Sequence, residues 1–113
     1  MYQAFYFETP SGRRPVKEFL DDIDEKGLRK FSFELQLLED HGPQLLEPHA
    51  KRLGNGIYEL RFSGRESAFR VLYFFDGQRV IFTNAFKKQT QKTPRGEMEL
   101  ALQRRSIYLA SKR

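Results

Sequence analysis

The sequence predicts an α+β domain in which a mainly antiparallel sheet is covered on one face by a helical hairpin. Two observations predict it: an early stretch repeats apolar residues with helical spacing, and three later stretches alternate apolar and polar residues between short turns. Sequential strands joined by short turns form an antiparallel meander, and an amphipathic hairpin needs a sheet to cover its apolar stripe. The predicted order is β-α-α-β-β-β-α.

The N-terminal part of the chain supplies the first strand and both helices of the hairpin. Residues 2–7 are aromatic and extended, which favours a strand, and a proline opens a helix predicted over 15–23. Gly27 is expected to break the chain before a second helix. That helix ends near Gly42, where glycine followed by proline stops helices. Residues 43–56 are rich in proline and glycine and are predicted to be irregular.

The C-terminal part supplies the meander and a last helix. Asp76-Gly77 is a strong hairpin signal between the second and third strands of the meander. Thr93 is predicted to be the N-cap of the last helix, with Pro94 at its first position. The strands are predicted at residues 57–62, 69–75 and 79–86, and the buried side of the last helix at Met98, Ala101, Leu102 and Leu109.

Length and composition limit the classes of protein to consider. A chain of 113 residues is expected to form one domain, residues 1–113, with a single core. It contains no cysteine, which excludes disulfides, thiolate metal sites and a thiol nucleophile. The N-terminus lacks a signal-peptide pattern, and no apolar run approaches the ~20 residues that span a membrane. We therefore expect a cytoplasmic protein that does not contact membranes.

The two signs of charge collect in different parts of the chain. The formal net charge is +5; acidic residues are dense over 18–25, and basic residues dominate 51–113. This asymmetry favours a polyanionic partner, with nucleic acid as the first candidate. The alternative is an ordinary soluble surface, because small domains commonly carry a net charge of this size.

A basic cluster follows the last predicted strand. Lys87, Lys88 and Lys92 fall within six residues, and no acidic residue occurs between Arg79 and Arg95. Lysines at a strand exit are suited to a phosphate backbone, and we expect at least two of the three to contact one. The alternative is that they are solvated loop charges. The residues predicted to contact RNA are Arg61, Tyr73, Lys87, Lys88, Gln91 and Lys92.

Arg61 and Arg70 lie inside strands that are otherwise largely apolar. On an exposed sheet face, guanidinium groups bind phosphates bidentately and stabilise the charge that builds on phosphorus during RNA cleavage. The alternative is a pair of solvated arginines that contact Glu59 or Glu66. Two roles are open for Tyr73 as well: a strand tyrosine can stack on a base, but it is more often part of the core.

The remaining residue types carry no recognised cofactor or metal motif. His41 lies at a predicted helix end and His49 in a loop, where capping or solvent exposure is expected for each. Two histidines at this spacing, without cysteine, form no metal-ligand set. The sequence has no phosphate-binding glycine loop, nucleophile elbow or dinucleotide fingerprint, so no cofactor is expected.

Three stretches in succession, Leu53–Arg61, Phe69–Phe75 and Phe86–Pro94, resemble the HigB-type toxins of the RelE superfamily, also called phage-derived Gp49-like proteins. The resemblance extends over nearly the whole chain and includes the predicted first helix at Pro15–Leu20. It implies the RelE-like fold, a small RNA-interferase sheet backed by two N-terminal helices. It also implies messenger RNA cleavage, usually in the ribosomal A site, and an adjacent helix-turn-helix antitoxin.

The resemblance also implies where the working residues lie. In relatives they are basic side chains on the exposed sheet face and at its C-terminal edge, and the matching positions here are Arg70, Lys87 and Lys88, with Arg61 as a further match. Arg70, Lys87 and Lys88 are the predicted catalytic residues, and they would act without a metal ion, the 2′-hydroxyl of RNA being the nucleophile.

The chain departs from its relatives in ways that leave a second function open. No histidine follows His49, Tyr108 lies deep in a predicted helix, and Glu59 stands where RelE-like toxins often carry lysine. The alternative function is a non-catalytic module with the toxin fold that binds RNA, the ribosome or the antitoxin.

Overall fold

The fold consists of a sheet with helices on both faces, which confirms the predicted α+β class. In a computed structural model of the chain, residues 1–112 are described. The strands are β1 (Gln3–Tyr6), β2 (Ala50–Gly54), β3 (Ile57–Ser63), β4 (Ala68–Asp76) and β5 (Arg79–Lys87). The α-helices are α1 (Pro15–Asp21), α2 (Glu25–His41) and α3 (Arg95–Ser111), and a 3₁₀ turn spans Gly42–Gln44.

The five strands form one sheet in the order β1-β5-β4-β3-β2. β1 runs parallel to β5, and all the other pairs are antiparallel. The meander of β3, β4 and β5 agrees with the predicted strands, and Gly77 takes a positive φ of 60° in the hairpin between β4 and β5. The β4–β5 register shifts between Leu72 and Tyr73, where β5 carries one extra residue.

The first sheet face is apolar and closed. Alternate residues of β3, β4 and β5 point toward α1 and α2, because successive side chains of a strand point to opposite faces. Val16 and Leu20 of α1 and Phe31 and Leu38 of α2 complete this core. The strand residues buried on this face are Leu60, Phe62, Phe69, Val71, Tyr73, Val80 and Phe82.

The second sheet face carries a smaller core beneath α3. Ala101 is the fully buried residue of that helix within the described part of the chain, and Met98, Leu102, Ile107 and Tyr108 are partly buried against the sheet. The predicted contribution of Leu109 is wrong, because its side chain is 50% exposed. The residues buried on this face by the rest of the chain are Phe7, Ile57, Leu72, Phe74 and Ile81.

Two local predictions also need correction. The segment predicted to be irregular contains β2, a five-residue edge strand whose Lys51-Arg52 pair hides the alternation. Gly27 does not break the chain: α2 begins two residues earlier, and the carboxylate of Asp24 caps it by accepting from the Gly27 N–H at 3.3 Å. The helix packs closely at Gly27, where a Cβ would lie 3.1 Å from the Phe69 ring and would require that ring to shift by a few tenths of an ångström.

Candidate nucleic-acid interface

An open groove lies on the second sheet face, between strands β2 and β3 and the loop that precedes α3. Its volume is about 620 Å³. One wall comes from β2 and β3, and the other from residues 90–95 together with Met98 at the start of α3. The basic residues that line it are Lys51, Arg52, Arg61, Lys92 and Arg95, and its one acidic residue within the described chain is Glu59. The groove is therefore strongly cationic.

Glu59 is the polar centre of this face. It lies within β3 with 3% of its surface exposed, and its two carboxylate oxygens contact different elements. Oε1 is 3.3 Å from Arg61 Nε and 3.6 Å from Arg70 Nε, and Oε2 accepts a 2.6 Å hydrogen bond from the Thr93 hydroxyl. One buried carboxylate thus joins two strand arginines and the loop before α3.

Arg70 lies directly across from Arg61 in the β3–β4 ladder, so the two guanidinium groups are neighbours on one face. The Arg70 side chain is 12% exposed, and its Nη1 donates to the Phe69 carbonyl at 2.9 Å. Burial lowers the pKa of Arg70, the Glu59 carboxylate raises it, and the charge of Arg61 lowers it again. An arginine remains protonated through such a shift, so the site keeps a fixed positive charge.

Arg61 reaches further toward solvent than Arg70. Its side chain is 23% exposed, and its Nη1 donates to Glu47 Oε2 at 3.2 Å in addition to the Glu59 contact. Glu47 itself is exposed, so a phosphate can replace it at low cost. Arg61 and Arg70 together form a cationic pair that Glu59 neutralises in part; Arg61 lines the groove, and Arg70 lies beside it on the same sheet face.

The loop after β5 brings further cations to the same face. The Lys88 N–H donates to the Ala68 carbonyl at 2.8 Å, so the β4–β5 pairing continues one residue beyond the strand. Strand alternation then gives Lys88 the same side as Phe86, which is paired with Arg70. Gln91 and Lys92 line the groove directly. Of the predicted residues, Arg61, Gln91 and Lys92 line the groove and Arg70 lies beside Arg61, while Lys88 is assigned to this face by strand alternation.

Tyr73 and Lys87 lie on the other face, contrary to the sequence-based placement. Tyr73 is fully buried beneath the helical hairpin, where it stacks on Tyr58 with ring centroids 5.4 Å apart. Burial raises the pKa of its hydroxyl strongly. Lys87 is paired with Phe69 and lines a small depression beside α1. Both side chains point away from Arg70, because successive residues of a strand point to opposite faces of the sheet.

The titratable groups that fit general acid or base chemistry lie elsewhere. The sequence predicts capping or solvent exposure for His49. Instead, its Nδ1 lies 2.9 Å from the buried carboxylate of Glu34 on α2. His41 is exposed in the last turn of α2. Tyr108 donates to Asp76 Oδ2 at 2.7 Å beside the β4–β5 hairpin, where desolvation and that bond raise the pKa of its hydroxyl. These contacts are structural.

Sequence reasoning missed Lys51 and Arg95 as basic groove residues; Arg52 borders the groove too, but its guanidinium lies 5.6 Å from the centroid of the Tyr58 ring. Lys51 pairs with Glu59 in the β2–β3 ladder, which places it on the groove face. The signal that could have found it is the Gly54–Gly56 turn: glycines with positive φ on both sides of Asn55 are typical of a tight hairpin, and so predict a strand before Ile57.

Residues 1–112 hold no cluster of three or more His, Cys, Asp or Glu side chains with the geometry to bind a metal ion. No helix in this part of the chain has both the length and the apolar character to cross a membrane.

Comparison with known proteins agrees with the resemblance read from the sequence. Residues 18–106 match the family described as Phage derived protein Gp49-like (DUF891). Two relatives share the name "Probable endoribonuclease HigB1", one from Mycobacterium tuberculosis strain CDC 1551 / Oshkosh and one from strain ATCC 25618 / H37Rv. Each is 41% identical over 106 residues, which cover 92% of this chain and 82% of the relative. The chain belongs to the phage-derived Gp49-like family, as a HigB-type member.

Proposed function

We propose that this chain is the toxin of a type II toxin–antitoxin system, a cytoplasmic endoribonuclease that cleaves messenger RNA on the translating ribosome. One observation carries the proposal: Arg61 and Arg70 lie side by side at a cationic groove, with Lys88 and Lys92 on the adjoining loop. The relatives named as probable endoribonucleases support the same reaction class.

The proposed step needs electrostatic stabilisation rather than a resident cofactor. The 2′-oxygen of a ribose bonds to the adjacent phosphorus while the bond from phosphorus to the 5′-oxygen breaks. Water takes the proton from the 2′-hydroxyl and returns one to the 5′-oxygen, which leaves a 2′,3′-cyclic phosphate and a 5′-hydroxyl. Arg70 and Lys88 stabilise the extra negative charge on the phosphate oxygens, and no metal ion is required. Arg61, Gln91 and Lys92 hold the flanking strand.

The proposed partners follow from the family. HigB-type toxins imply a cognate helix-turn-helix antitoxin, and we propose that this chain binds one in addition to messenger RNA and the ribosome.

The groove is open along its length and is lined by cationic groups and by apolar groups, the latter including Leu53 and Met98. Such a surface suits an unpaired strand, since phosphates meet the lysines and arginines while bases meet the apolar wall.

One observation favours a second candidate function. None of the groove-lining residues in the described chain is histidine, and Glu59 neutralises the inner side of both strand arginines. A module that binds RNA, the ribosome or the antitoxin without cleaving RNA needs no general acid or base. In that case the groove supplies affinity alone.

Tightly induced expression in a bacterial host tests the proposal. We expect growth arrest and cleaved messages with the wild type, and neither with Arg70→Ala/Lys88→Ala. Normal growth with intact messages for the wild type would contradict the nuclease. In that case, loss of RNA affinity in the double variant, measured on the purified proteins, would favour the binding module.

A further inference from the structure

The loop between β5 and α3 is attached to the sheet by a backbone bond at its first residue, from the Lys88 N–H to the Ala68 carbonyl at 2.8 Å, and by one side chain near α3. That side chain belongs to Thr93, whose hydroxyl donates to Glu59 Oε2 at 2.6 Å. Among the described residues, no other side chain of segment 88–94 forms a hydrogen bond with a strand residue. The other side-chain bond of the segment is local, from the Thr90 hydroxyl to the Lys92 carbonyl at 2.8 Å. The Thr93 bond therefore fixes the loop against the floor of the groove.

The sequence predicts a different use for Thr93. It has the residue type and position of an N-cap, but Pro94 occupies the N-cap position in the structure and no side chain caps α3. The Thr93 hydroxyl is instead directed to a carboxylate 34 residues earlier in the chain. A hydroxyl that bonds a buried carboxylate makes a charge-assisted bond, which is stronger than a capping bond between neutral groups.

We propose that Glu59 and Thr93 are a positioning pair that sets the distance between the loop lysines and the strand arginines. The same carboxylate contacts Arg61 and Arg70 through its other oxygen, so one group fixes both halves of the cationic site. Glu59 is almost fully buried and acts through these neighbours, so it is not itself a catalytic residue. This inference rests on the proposed function, because the distance between the loop lysines and the strand arginines affects cleavage if one RNA phosphate contacts both groups.

The pair predicts a specific kinetic signature. With the loop docked at both ends, the Lys88 and Lys92 side chains are ordered before RNA arrives. With the Thr93 end released, the loop keeps its backbone bond at Lys88, and the two lysines still attract RNA, but their side chains must be ordered during the reaction. Loss of the bond should therefore lower kcat more than it raises KM, because misplaced charge affects the transition state more than the initial complex.

Thr93→Val removes the hydroxyl at nearly constant shape, and we expect its cleavage rate to fall by about tenfold, the equivalent of one charge-assisted hydrogen bond. Thr93→Ser keeps the donor and should restore the rate to within about twofold of the wild type. The matched control is Thr9→Val, which removes a threonine hydroxyl from the turn between β1 and α1, away from the groove, and should leave the rate within about twofold. Equal rates for Thr93→Val and Thr9→Val would overturn the positioning pair.

A second readout does not depend on cleavage activity. Trypsin cuts after lysine, so its rate at Lys88 and Lys92 reports how often the loop leaves the sheet. We expect faster cutting in Thr93→Val than in the wild type or Thr9→Val, with Thr93→Ser close to the wild type. Unchanged cutting in Thr93→Val would overturn the proposal even in an active enzyme. A wild type without nuclease activity would remove the proposed function, yet this assay would still decide whether Thr93 docks the loop.

Discussion

The two faces of the sheet differ in what holds their helices in place. On the first face, α1 and α2 close over a continuous apolar core that includes Phe31 and Leu38. On the second, α3 buries Ala101 fully and relies on polar bonds as well, among them Arg104 Nη1 to the Thr83 carbonyl at 2.8 Å and Tyr108 to Asp76. The first face supplies stability, and the second leaves room for a charged groove.

Strand alternation produces this division without a separate active-site element. Leu60 and Arg61 are chain neighbours, but the first is fully buried under the hairpin and the second borders the groove. This division buries the Glu59 carboxylate, and a buried carboxylate needs charged or hydrogen-bonding partners. Arg61, Arg70 and Thr93 are those partners. The charged face is therefore held together by the groups that we propose bind RNA.

The largest expected effect is on the first face. Leu38→Ala removes a side chain with 0% exposure and should lower the free energy of unfolding by about 2–5 kcal/mol, because it leaves a cavity. Leu109→Ala on α3 is the control and should cost no more than about 0.5 kcal/mol, since half of that side chain is in water. Urea denaturation measures both. Similar losses would contradict the contrast between the faces.

A smaller effect concerns the junction of α1, α2 and the β3–β4 turn. The pKa of Asp24 is lowered because the Arg65 N–H donates to its carboxylate at 3.0 Å, with a further bond from the Gly27 N–H. A lowered pKa in the folded state contributes stability above the unfolded pKa of about 3.9, and that stability is lost as the pH falls through the folded value.

Asp24→Asn should therefore lower the Tm at about pH 7, and the difference from the wild type should shrink toward about pH 3. Thermal unfolding at both pH values measures it, with Asp40→Asn on exposed α2 surface as the control. A difference that stays constant with pH would show that ionisation of Asp24 is not what stabilises the junction.

The smallest expected effect is on RNA affinity. Lys92→Ala should weaken binding of an uncleavable 2′-O-methyl RNA by less than about tenfold, and should reduce the slope of log K against log salt by about 0.7, as expected for one phosphate contact. Lys30→Ala, on the exposed side of α2, is the control and should change neither quantity. Filter binding over a salt series measures both. An unchanged slope for Lys92→Ala would remove that residue from the interface.

The apolar half of the fold could be predicted from the sequence, whereas the composition of the charged face could be predicted only in part. The stripe of α2 and the Gly77 turn are local patterns, and both are confirmed. Tyr73 and Arg70 are three residues apart on one strand, so alternation alone separates their faces. The face of Lys87 depends on the β4–β5 register, which no local pattern contains. The Thr93–Glu59 bond joins distant segments and becomes visible in the folded chain alone.

The most direct test of the account compares equal losses of charge on the two faces. Arg70→Ala/Lys88→Ala removes two cations from the groove face, and Lys26→Ala/Lys30→Ala removes two from the exposed side of α2. Each purified protein would be added to translating ribosomes, and the message mapped by primer extension. We expect the first variant to lose about a hundredfold or more in cleavage rate and the second to stay within about threefold of the wild type. Equal loss in the two variants, or loss in the α2 variant alone, would contradict a site on the groove face.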